Sequence, residues 1–219
     1  QVEAWKPVTQ AVHDAGGRII LQLWHMGRLV HSDFLGGAQP VSASATTAPG
    51  DAHTAEGKKP YVEARALETS EIPRVVADYA HAAKNAIAAG FDGVQIHGAN
   101  GYLIDQFLRD NSNFRTDEYG GLIENRIRLL REVTQAVVDA VGADRTSVRL
   151  SPNGETQGAD DSNPVALFTA AAAALQEIGI AFLELREVKP YGNFGRTDVP
   201  RVSPEIRKVF TNPLVLNQE

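Results

Sequence analysis

Apolar residues along this chain alternate between long stretches with helical spacing and short, β-branched runs bounded by glycine. A helix is expected over residues 2–15, stopping at Gly16-Gly17, with a strand over 18–24 after it. A second helix is predicted from about 71, capped by Ser70, to 89, and it feeds the apolar run Phe91-Asp92-Gly93-Val94-Gln95-Ile96. A third, over 122–141, leads to Ser147-Val148-Arg149-Leu150-Ser151. A fourth starts at Asn163-Pro164, a capping residue followed by proline at the first helical position, and ends before Gly179. Its strand covers 181–185. A last short helix after Ser203-Pro204 precedes Leu214-Val215-Leu216.

Helix and strand thus alternate with no low-complexity linker, the signature of one α/β unit built on a parallel sheet. A (β/α)8 barrel and a doubly wound open sheet both fit that series. No Gly-x-Gly-x-x-Gly follows a strand, and the polar residues of interest lie just past the carboxyl ends of strands, which favours the barrel. Only about five of the eight βα units can be counted. The expectation is therefore a partial (β/α)8 barrel over residues 1–219, its missing strands supplied by a complementary polypeptide. The segment 29–67, rich in glycine and proline, is too long for a plain βα turn and reads as a hairpin or lid over the barrel mouth.

Composition narrows the partners. The chain has 219 residues, 43% of them hydrophobic, and a net charge of −6, so it can bury a sizeable core and has no basic run for a phosphate backbone. No nucleic acid is expected. No stretch approaches ~20 continuous apolar residues, so no membrane span is expected either. Gln1 to Pro7 lacks the basic start and apolar run of a secretory leader, and there are no cysteines for disulfides, thiolate metal sites or cysteine catalysis. A cytoplasmic location is the expectation that follows.

The candidate chemistry gathers where one strand ends. Side chains alternate along a strand, so Gln95 and His97 share one face while Val94 and Ile96 share the other. Gly98, Ala99 and Gly101 allow a sharp turn that brings Asn100 and Tyr102 back over the strand end. Each alone has an ordinary reading: a satisfied polar side chain, a turn residue, an amphipathic rim residue. Together they can do more. His97 and Asn100 can stabilise the charge that grows on a carbonyl oxygen when its conjugated double bond receives a hydride, and Tyr102 can supply a proton. Two more strands turn polar groups inward: Gln22 shares a face with Trp24, and Arg149 shares one with Ser147 and Ser151. A reduced flavin would suit Arg149 and Gln22; an internal pair between Arg149 and Glu184 is the alternative.

Leu21-Gln22-Leu23-Trp24-His25-Met26-Gly27-Arg28, then His97-Gly98-Ala99-Asn100-Gly101-Tyr102, then Val148-Arg149-Leu150-Ser151-Pro152 resemble, in order and spacing, the old yellow enzyme family of flavin-dependent ene-reductases. The stretch from Arg115 to Arg126 resembles it as well. The resemblance implies an FMN-containing barrel in which NAD(P)H reduces the flavin and the flavin reduces the C=C bond of an α,β-unsaturated carbonyl compound. It implies that His97 and Asn100 bind the substrate carbonyl, that Tyr102 protonates the α-carbon while flavin N5 delivers hydride to the β-carbon, that Gln22 and Arg149 bind the flavin, and that Trp24 lines the substrate pocket. Family members carry strands before and after the matched region, the last of them with the loop that grips the FMN phosphate. The expectation is that this polypeptide alone binds FMN poorly.

Two other readings compete. One is a noncatalytic barrel fragment that only completes a complementary chain. The other is a metal-dependent barrel hydrolase using His25, His31 and His97, although no metal is expected, since His31 and His53 lack carboxylate or cysteine company and read as solvent-exposed. Asp160-Asp161 reads as a solvated loop, and the alanine run 170–174 as helix surface or close packing.

Overall fold

A computed structural model describes residues 1–189 and 197–218. The chain opens with α1 (Val2–Asp14) and β1 (Ile20–Leu23). An excursion of short elements follows: β2 (Val41–Ser42), the antiparallel hairpin β3 (Asp51–Thr54) and β4 (Gly57–Pro60), and β5 (Arg65–Ala66), which pairs with β2. Strand and helix then alternate through α2 (Ile72–Ala88), β6 (Gly93–His97), α3 (Leu103–Leu108), α4 (Ile123–Arg126), α5 (Arg128–Val141), β7 (Thr146–Leu150), α6 (Pro164–Ile178), β8 (Phe182–Glu187), α7 (Ser203–Val209) and β9 (Leu214–Gln218).

Five strands form one parallel sheet in the order β1-β6-β7-β8-β9. That order follows the chain throughout. A doubly wound sheet reverses direction at a switch point, whereas a barrel adds each strand beside the last, so the sheet is an arc of a (β/α)8 barrel. Eight-stranded closure needs three further strands, and β1 and β9 are the edges they would meet among the described residues.

The outward-facing residues Val94, Ile96, Val148, Leu150, Leu183 and Leu185 are at most 1% exposed, packed under α2, α5 and α6. In α5 the buried positions Leu129, Leu130, Val133 and Val137 fall on one stripe, which lies against α2 and its Val75, Tyr79 and Ala83. The other face of the sheet carries Gln22, Gln95, His97, Ser147, Arg149 and Glu184. Burial under the helices thus fixes the register: a slip of one residue would turn the polar row under α2, α5 and α6 and the aliphatic row to the inner face of the sheet. His97 pairs with Arg149, and Arg149 with Glu184, in adjacent strands.

The structure corrects several local expectations. Ser70 does not cap α2: a 3-10 turn over Thr69–Glu71 precedes that helix, and Glu68 and Glu71 form a reciprocal capping box there. The helix expected over 122–141 is broken at Ile127 into α4 and α5. Helix α3 was not expected, because all six of its residues are buried and no polar face gives it a period. At the start of α6, Asn163 accepts a hydrogen bond from the Ala166 N–H, and Gly179 ends the helix in a left-handed conformation, as predicted. Ala171, Ala172 and Ala174 are buried, so the alanine run is close packing. No helix among the described residues is long and apolar enough to cross a membrane.

Candidate functional site

Strand β6 ends by aiming His97 into the arc, and the chain then turns back within five residues. Asn100 takes a left-handed conformation, φ 57°, and Gly101 follows at φ 77°. A side chain at Gly101 is impossible, since its Cβ would lie 2.6 Å from the carbonyl oxygen of Thr156. Such a backbone persists only where its surroundings over-determine it. Here the Asn100 N–H donates to Ser151 Oγ and the Gly101 N–H to Asp105 Oδ2, each at 2.8 Å, while the Asn100 carbonyl accepts from Gln157 Nε2, also at 2.8 Å. Arg109 then locks both supports together. Its Nε donates to Asp105 Oδ1 at 2.9 Å and one of its terminal nitrogens to the Ser151 carbonyl, with Asp105 and Arg109 both fully buried.

On this turn the ring of Tyr102 stands 5.1 Å from that of His97, and the Trp24 indole meets Tyr102 edge-on at 4.7 Å and His97 at 6.0 Å. Trp24 is half exposed and Tyr102 half-buried, so the three rings form the wall of an open recess. Burial, aided by the nearby Arg149 cation, pushes the His97 imidazole down to about 4, which keeps it neutral at physiological pH. A neutral imidazole donates from one nitrogen and accepts at the other. His97 Nδ1, Asn100 Oδ1 and Arg149 Nε are buried and hydrogen-bonded to nothing in the protein. Buried polar atoms are seldom left so; three orphans, on β6, on the turn after it and on the adjoining β7, mark a place prepared for a ligand.

A row of polar side chains runs across the strands. Gln22 Nε2 donates to Gln95 Oε1 and Gln95 Nε2 donates to Glu184 Oε2, both at 2.8 Å. Glu184 Oε1 lies 3.5 Å from Arg149 Nε and accepts from Asn217 Nδ2 at 3.4 Å. The Arg149–Glu184 pair left open by the sequence is therefore present, yet it is long and satisfies no hydrogen bond at Nε, so Arg149 retains donors to offer.

Sequence reasoning did not single out Asp105, Arg109, Gln95 or Glu184 as site supports. The i,i+4 acid–base spacing of Asp105 and Arg109 was visible, but on a six-residue helix whose sides are all buried, with Arg109 just past its end, it carries no surface meaning. Two residues expected in solvent are buried. His31 is 6% exposed because its Nδ1 accepts the Asp33 N–H and so caps the turn at Ser32–Leu35. Asp161 is 7% exposed because it pairs with Arg126, 35 positions away, and accepts the Asp110 N–H. His53, by contrast, is exposed on the hairpin. Among the described residues no cluster of three His, Asp or Glu side chains could hold a metal ion, and His25, named in the hydrolase alternative, spends its Nδ1 on the Gly27 N–H.

The profile of the NADH:flavin oxidoreductase / NADH oxidase family matches residues 1–215. The chain is 46% identical over 211 residues to 12-oxophytodienoate reductase 7 of Oryza sativa subsp. japonica, covering 90% of this chain and 52% of that protein. Among solved structures, the old yellow enzyme homologue from Zymomonas mobilis is 62% identical with a TM-score of 0.98, over 100% of this chain and 61% of its own. Morphinone reductase in complex with tetrahydroNAD is 40% identical with a TM-score of 0.88, over 99% of this chain and 60% of its own. The chain thus spans between 52% and 61% of the length of these relatives.

Proposed function

This chain belongs to the NADH:flavin oxidoreductase / NADH oxidase family, and from that premise we propose that it carries the catalytic half of an FMN-dependent ene-reductase acting on α,β-unsaturated carbonyl compounds, with NAD(P)H as reductant. The observation that carries the reading is the pair of unpartnered buried nitrogens, His97 Nδ1 and Arg149 Nε, beside Tyr102 and Trp24. FMN, when bound, supplies the hydride that adds to the alkene.

Gln22 and Arg149 fit the polar edge of such a ring, because Arg149 has an unused donor and Gln22 has an amide group left over from its bond to Gln95. His97 holds the substrate carbonyl oxygen with its ring N–H and Asn100 with the NH2 group of its side-chain amide. Their value is electrostatic: charge develops on that oxygen as the double bond is reduced, and donors already fixed in place need no reorganisation to meet it. A neutral imidazole serves this purpose as an N–H donor. Tyr102, whose ring packs against His97, delivers the proton to the α-carbon. Trp24, edge-on to Tyr102, limits which substituents fit beside the carbonyl. The segment 29–67 covers the mouth as a lid, tied to the catalytic turn through Gln106, which accepts from Ser42 Oγ and donates to the Gly101 carbonyl.

Closing the barrel requires three further strands, whichever polypeptide carries them. The noncatalytic-fragment reading predicts that this chain contributes no catalytic group once the barrel is complete. Tyr102→Phe decides between the two. Loss of the proton donor is expected to slow alkene reduction by about 10²- to 10⁴-fold while flavin reduction by NAD(P)H stays nearly unchanged, as followed by stopped-flow absorbance of the flavin. The opposite pattern, or no change in either half-reaction, refutes the role.

A further inference from the structure

The amide of Gln22 can turn either its oxygen or its nitrogen toward a ligand, and side chains on β6 and β8 decide which. A carboxylate only accepts hydrogen bonds, so Glu184 Oε2, 2.8 Å from Gln95 Nε2, requires that Gln95 present its NH2 group. The carbonyl oxygen of Gln95 must then face the other way, across to β1. There Gln22 Nε2 meets it at 2.8 Å, because two amide oxygens cannot pair. What Gln22 has left is its own carbonyl oxygen, with one N–H beside it. Gln95 is 6% exposed, so water offers it little alternative, and Glu184 Oε1 is already turned toward Arg149 and Asn217.

We propose that Gln95 and Glu184 are positioning residues that set the hydrogen-bond polarity of the flavin pocket. The charge at Glu184, passed through one amide, holds the Gln22 oxygen outward. The pocket then presents an acceptor at Gln22 and donors at Arg149. A bound ring must bring an N–H to the first and lone pairs to the second, and of the edges of an isoalloxazine only the pyrimidine edge has a donor, N3–H, flanked by acceptors. The inference rests on the FMN reading above but concerns residues that reading leaves without a role.

The test compares FMN with 3-methyl-FMN, which has lost the N3 proton, by titrating each into flavin-free protein whose barrel is completed by the three further strands, and following flavin fluorescence. One hydrogen bond lost is worth about tenfold in Kd, so the native protein is expected to bind FMN at least about tenfold more tightly than its methylated analogue. In Glu184→Gln the side chain can offer Gln95 either an oxygen or an NH2 group, so the row can run in both directions and the preference is expected to fall to about threefold or less. Gln95→Met breaks the row and is expected to do the same, which keeps the test decisive if one variant does not fold. A purely structural role weakens both flavins equally, and an unchanged ratio in the variants overturns the proposal. Native protein that binds both flavins alike also overturns it while leaving the FMN reading standing; native protein that binds neither removes both.

Discussion

The turn after β6 and the hairpin between β2 and β5 are both excursions beyond strand ends, and both are braced by ion pairs, yet the two bracings differ in kind. The turn rests on Asp105 and Arg109, both at 0% side-chain exposure, which bond to each other, to the Gly101 N–H and to the Ser151 carbonyl. The hairpin rests on Lys59, which reaches Asp33 and Glu56 at 2.7 Å with side chains between 33% and 77% exposed. Water can replace the second pair at little cost; nothing can replace the first. The comparison teaches where this protein holds its backbone accurately: the turn that carries His97, Asn100 and Tyr102 is clamped from inside, and the hairpin is fastened where solvent screens the fastening.

The widest gap between the two regions appears when each pair is broken. Arg109→Met leaves Asp105 as a buried charge without its partner and is expected to cost about 3–5 kcal/mol in a urea titration; a loss below about 1 kcal/mol would erase the distinction. Acid probes the same region through His97. The unfolded chain takes up that proton near 6.5 and the folded chain only near 4, so between those values the unfolded state binds more protons and stability rises with pH. The contribution is complete above 6.5 and is lost on acidification, by up to about 3 kcal/mol at pH 4. A His97 imidazole signal titrating near 6.5 by NMR contradicts this. Ser151→Ala is expected to cost about 1–3 kcal/mol, because the Asn100 N–H is left without an acceptor, and thermal melts that leave stability unchanged would show the turn to be braced otherwise. On the hairpin, Lys59→Ala is expected to change stability by less than about 1 kcal/mol; a larger loss in the same melts would mean that the flap is not fastened merely at its surface.

Much of this arrangement could be read from the residues. Four of the five parallel strands were visible as short apolar runs after a glycine that closes the preceding helix, β9 following Asn212-Pro213 instead, and alternation alone placed Gln95, His97 and Arg149 on the inner face. The (β/α)8 class followed from the absence of a Gly-x-Gly-x-x-Gly after a strand and from polar residues placed just past the carboxyl ends of strands. What escaped was decided at a distance. Asp161 looks like any loop acid until Arg126 arrives from another helix, and His31 looks solvated until its own turn folds over it. Helix α3 escaped because full burial erases the period by which helices are found. Glu184 was legible only as a possible partner for Arg149; its bond to Gln95 depends on β6 and β8 flanking β7, which no local pattern records.

The row from Gln22 through Gln95 to Glu184 takes one residue from each of three strands, and the direction of every bond in it is set by the last. Seen across descent rather than within one molecule, positions 95 and 184 form a single heritable character. A lineage that replaces the acid at 184 with a donor inherits a reversed row unless 95 changes in company, and an acid at 95 calls for a donor at 184. The two positions, 89 residues apart, are expected to drift together while the aliphatic residues on either side of them vary independently.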